Sequence, residues 1–146
     1  MRKLLIGLSL STAALAALSS PASAHHSGAM FDRDKTVTLQ GVVKTFQYTN
    51  PHSWLQVLVP GPDGKPVEWG FEAEGPSTLL RVGIKAKTFV PGDKVTITTN
   101  PMKDGRPAGA LITATKADGT VYSARGRPTG TANAAPPAPA AAKPGA

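Results

Sequence analysis

Apolar and polar residues alternate along the middle of the chain. In "SWLQVLV" (53–59), Leu55, Val57 and Val59 share one side while Trp54, Gln56 and Leu58 take the other, the two-residue period of a strand with one buried face. "VEWGFE" (67–72) repeats the pattern, with Val67, Trp69 and Phe71 together and Glu68 and Glu72 opposite. The segment between them, "PGPDGKP", carries the tight-turn dipeptide Asp63-Gly64. An earlier run, "TVTLQGVVKTFQYT" (36–49), opens with Val37 and Leu39 in alternation and is interrupted by Gly41, where a bulge or sharp bend fits.

The period then changes. "GPSTLLRVG" (75–83) sets Pro76 at a first helical turn, adjacent leucines at 79 and 80, and Gly83 as a stop, which predicts one short helix. "VPGDKVTITT" (90–99) and "GALITATKADGTVYS" (109–123) return to strands, the last broken at Asp118-Gly119. Three strands, a helix and two or more strands predict an all-β fold: a small five-stranded OB-like barrel over residues 36–123, with its helix between strands three and four. A long first strand bent at Gly41 lets such a barrel close. The other candidate, a small antiparallel sandwich, accommodates a mid-chain helix less well.

The two ends of the chain have a different character. Met1 to Ala24 reads as a secretory signal: Arg2 and Lys3, an apolar run from Leu4 to Leu18, and the small-residue box Ala22-Ser23-Ala24. That run is too short for a membrane span. Cleavage after Ala24 would leave 146 less 24, or 122 residues: a leader (25–35), the barrel, and a tail (124–146) rich in alanine and proline that reads as disordered. Arg2 and Lys3 leave with the signal, so 14 basic and nine acidic side chains remain, a formal charge of +5. This favours anionic ligands or an anionic envelope, with no nucleic acid as an expected partner. Cysteine is absent, which excludes disulfides, thiolate metal sites and thiol nucleophiles. A soluble periplasmic or secreted product is the expectation.

Chemistry-bearing residues concentrate in three places. His25 and His26 directly follow the cleavage box, in a chain with three histidines. A cut after Ala24 gives His25 a free amine beside its imidazole. A cut after Ala22 puts a histidine third in the chain, where the amine, two backbone amides and the imidazole form a square-planar set. Both arrangements suit Cu(II). His52, in "YTNPHSW" (48–54), is the one histidine available to join them, so the metal set is His25, His26 and His52. Against it stands the reading of a solvated polar leader, since imidazole ligands need supporting partners.

The same loop contains Asn50-Pro51, a turn starter in which the asparagine side chain can bond two residues ahead, and Trp54. In OB barrels this loop and the loop between strands four and five flank the ligand cleft; the second is "NPMKDGRP" (100–107), with Lys103 and Arg106. Asn50, Trp54, Glu72, Lys103 and Arg106 are thus the ligand-binding candidates, Tyr48 a further stacking ring, and turn chemistry alone the competing explanation of the loop. Glu72 and Glu74 share a strand side but lack a nucleophile motif; a solvated strand end or an ion pair with Arg81 accounts for them. Phosphate loops, zinc-protease helices and nucleophile elbows are absent, and no enzymatic activity is expected.

The combination "AHHSGAMFD", "VTLQGVV", "NPHSW", "WGFEAEGPSTLLRVG" and "PGDKVTI" resembles a group of small exported bacterial proteins known as a domain of unknown function. The resemblance spans about His25 to Ser123. It implies export and motif positions at His25, His26 and Ser27, at Asn50, Pro51 and His52, and at Glu72, Gly75 and Pro76. It implies no activity. Members often carry a bulky aromatic where this chain has Gly28. The expected function is that of an exported binding protein for Cu(II) or another divalent ion, with a small anionic ligand or envelope polymer in the barrel cleft as the alternative.

Overall fold

The computed structural model describes residues 27–124 and 130–131; the expected signal, His25, His26 and nearly all of the expected tail lie outside these. A 3-10 helix at Ser27–Met30 leads into β1 (Val37–Gln47), β2 (Ser53–Pro60) and β3 (Pro66–Ala73), then α1 (Pro76–Arg81), β4 (Lys94–Pro101) and β5 (Ala108–Lys116), with short β6 (Thr120–Ser123) and β7 (Gly130–Thr131). β1 pairs antiparallel with both β2 and β4, β2 with β3, and β4 with β5. A parallel contact between β3 and β5 closes the circuit. The result is a closed five-stranded all-β barrel with one helix between β3 and β4, as the strand order predicts.

The alternating positions fall where their period puts them. Leu55, Val57, Phe71 and Ile97 are fully buried, and Trp69 stacks on Phe71 with ring centroids 6.0 Å apart. α1 and the loop after it add Leu79, Val82, Ile84 and Phe89 to the same core. α1 ends as its sequence requires. Gly83 takes φ +86, and the Gly83 and Ile84 amides donate to the Leu80 and Leu79 carbonyls, the paired bonds of a helix stop that needs a residue without Cβ.

β1 serves two partners in succession, β4 over Val37–Val42 and β2 over Val42–Gln47. Gly41 sits at this handover. A Cβ there would lie 2.4 Å from the Leu58 carbonyl oxygen, so glycine is what allows the strands to cross so closely. The register irregularity itself falls between Val43 and Thr45, slightly later than Gly41.

Described structure continues on both sides of residues 36–123. The described part of the expected leader docks on the barrel: Phe31 is 4% exposed and bridges to Met102, the Asp32 amide donates to Pro101, and the Lys103 amide donates to Met30. These bonds prolong β1's line along β4, and the docking runs through Phe31, three residues beyond Gly28. At the other end Ala124 is 1% exposed and its amide donates to Ile112, while Gly130–Thr131 pairs with β6. Ordered structure therefore reaches past Ser123.

Candidate functional site

The hairpin of β2 and β3 turns about Asp63, so Ser53 lies opposite Ala73, Trp54 opposite Glu72 and Gln56 opposite Gly70. Odd-numbered β2 residues point inward, which sends Trp54, Gln56 and Glu72 to the outer surface. Trp54 borders Gly70: a Cβ there would come within 3.5 Å of the indole ring and 3.0 Å of Gln56 Oε1. Glycine at this position keeps a shelf clear beside the ring.

His52 is delivered to this surface by a firmly tied loop. The Thr49 hydroxyl donates to the His52 carbonyl at 3.3 Å, and the Ser53 hydroxyl to the Thr49 carbonyl at 3.5 Å. The turn is thus closed by Thr49, where the sequence pointed to the Asn50 side chain. The Asn50–Pro51 peptide is cis, and the loop presses on the start of α1, with Asn50 Oδ1 and the Pro51 carbonyl close against Gly75. So held, His52 Nδ1 meets Glu72 Oε1. The histidine side chain is 36% exposed and the carboxylate 10%.

A carboxylate only accepts hydrogen bonds, so Nδ1 carries the proton of the shared bond and a neutral ring presents its Nε2 lone pair. A carboxylate on one imidazole nitrogen is the usual support of a histidine whose other nitrogen ligates a metal. Glu72 therefore has a definite partner. It is not paired with Arg81, whose guanidinium donates instead to the Thr78 hydroxyl, and Glu74 is exposed past the end of β3.

The remaining candidates separate. Tyr48 is a structural clasp: its hydroxyl lies 2.8 Å from the Pro76 carbonyl and 3.1 Å from that of Ile84, and its ring packs on Phe46, which removes it as a stacking surface. Arg106 is held by Asp104 at 2.8 Å within its own loop. Lys103 faces the leader, where the hydrogen bond from Lys35 and, more weakly, the Lys103 charge keep Asp32 below the usual carboxylate range. Among the described residues, no hydrogen bond or ion pair links Lys103 or Arg106 to His52, Trp54 or Glu72. No three His, Asp or Glu side chains gather among the described residues; two of the three expected histidine ligands, His25 and His26, lie outside them.

The pairing of His52 with Glu72 was not anticipated, the sequence having set Glu72 against solvent or Arg81, but the turn at Asp63 carries part of the signal. Counting outward from Asp63 by equal steps sets Trp54 against Glu72, with His52 two positions earlier on the same strand side. A family model, described as a family of unknown function (DUF6152), matches residues 13–112. No curated protein and no solved structure matches the chain.

Proposed function

From a chain that belongs to this family of unknown function, we propose an exported, non-enzymatic binding protein, periplasmic or secreted, that takes Cu(II) or a related divalent ion on the outer β2–β3 surface. His52 Nε2 would supply one ligand, with Glu72 fixing the ring; the imidazoles of His25 and His26 and the amine freed by signal cleavage would supply the others. The carboxylate-supported histidine carries the reading, because a partly exposed imidazole with one nitrogen committed presents the other as a directed lone pair. Arg106, neutralised by Asp104, weighs against an anion in the cleft.

Calorimetric titration of the correctly processed protein with Cu(II) tests it. Parent protein should bind one equivalent, Glu72→Gln should bind about 10- to 100-fold more weakly, and both His52→Ala and a form with one extra residue before His25 should lose most affinity. If the last two bind as tightly as the parent, the composite site does not exist.

One observation favours a second reading. Trp54, half-buried beside Gly70 on the strand face that OB barrels use for oligosaccharides, offers a ring for stacking on a sugar. Quenching of its fluorescence by glycans, indifferent to metal, would select that reading over the first.

A further inference from the structure

The outer face of β1, β4 and β5 carries a second feature, at the opposite end of β2 from His52. Gln40, Thr96 and Thr115 occupy one cross-strand row, since Gln40 pairs with Thr96 and Thr96 with Thr115. In each strand the inward neighbours are the ones that fill the core, Val95 and Ile97 in β4 and Ala114 in β5, so this row faces outward. It lines a groove of about 350 Å³ whose wall includes Val42, Pro60 and Lys94. That volume is within the range of small-ligand sites. Pro60 lies seven residues along β2 from Ser53, about 23 Å at strand rise, so the groove is separate from His52 and Glu72.

Four polar side chains in this groove are uncommitted. Among the described residues, no hydrogen bond engages the side chains of Gln40, Thr96 or Thr115, and no acidic group pairs with Lys94. Lys116, which also lines the groove, is by contrast satisfied by Asp93 at 3.0 Å and by the Thr88 carbonyl at 3.2 Å. A row of groups that each donate and accept, half-buried at Thr96 and Thr115 and exposed at Gln40, an exposed apolar side chain at Val42 and one unpaired cation among the described lining residues together define a ligand. It has several hydroxyls, an apolar C–H face and a single negative charge per unit. An acidic sugar has all three.

We infer that this groove binds a uronic-acid type glycan segment, its carboxylate on Lys94, its hydroxyls on Gln40, Thr96 and Thr115, and its ring face against Val42 and Pro60. The site is independent of the metal reading above and stands or falls separately.

Isotope-labelled protein titrated with trigalacturonate in the presence of EDTA, which removes any metal-bridged binding, tests the assignment. Amide shifts should saturate around Gln40–Val42, Lys94–Thr96 and Thr115–Ala117. Maltotriose, which lacks the carboxylates, should bind at least tenfold more weakly. Lys94→Gln and Thr96→Val should each weaken trigalacturonate binding about tenfold, and salt should erode the parent's affinity more than that of Lys94→Gln. Lys94 is exposed, so its replacement leaves the core untouched even if Thr96→Val disturbs the sheet. Absence of shifts, shifts centred on Trp54 and Glu72, or a Lys94→Gln protein that binds like the parent would each overturn the inference.

Discussion

Single residues in this protein act chiefly by what they leave out. Gly75 precedes α1 with ordinary extended angles (φ −68, ψ 162), so its backbone conformation is open to any residue. Its role is steric: a Cβ would stand 2.6 Å from the Pro51 carbonyl oxygen and 3.2 Å from Asn50 Oδ1. Gly75→Ala must push the His52 loop away from the helix, and thermal or denaturant unfolding should show a loss of about 1–3 kcal/mol. The resonances of His52 should move with it. Glu72 illustrates what sequence reading reaches at this scale. Its side of the strand followed from alternation, but its partner did not, because the path of the Thr49–His52 turn depends on hydroxyl-to-carbonyl bonds that no periodicity encodes.

At the level of elements, the strands were the most legible part, since Leu55, Val57 and Val59 announce their face by period alone. The leader and the stretch after α1 were not. Phe31 belongs to no periodic run, following Ala29 and Met30 and preceding a charged stretch, and Ile84 and Phe89 follow neither a helical nor a strand period, yet all three are buried; only the tertiary positions of Met102 and the barrel interior explain them. The stretch after α1 is fastened by Asp93. The Val90 amide donates to its carboxylate at 3.0 Å and Lys116 pairs with it at 3.0 Å, and these, the amide first, hold its pKa below the ordinary value of 3.8 against the opposing effect of burial. Folded protein thus holds the Asp93 proton less readily than the unfolded chain. The stability it contributes is complete above the unfolded pKa and is lost as pH falls through the lower folded value. Asp93→Asn, which keeps an acceptor for Val90 but drops the charge, should cost about 1 kcal/mol at neutral pH. Its stability should also fall less steeply than the parent's below about pH 4, as acid titrations of unfolding would show.

For the whole molecule, strand order and helix position specified the barrel, and the alternative sandwich fails because β3 returns to β5. That return is the shortest contact in the barrel: Gly70, Phe71 and Glu72 against Ala108, Gly109 and Ala110, compared with eight pairs between β2 and β3. Two of its six residues are glycines, which bring no side chain to the seam; a Cβ at Gly109 would also stand 2.2 Å from Thr99 Oγ1 on β4. Opening of the barrel should begin along this line. Native-state hydrogen exchange should find the Gly70 amide, which donates to Pro107, exchanging at a lower free energy than the amides shared by β2 and β3. Glu72 belongs both to this seam and to the His52 pair. An ion captured at His52 would therefore act as a latch on the closure, and its arrival would be readable as slowed exchange at Gly70, far along the chain from any histidine.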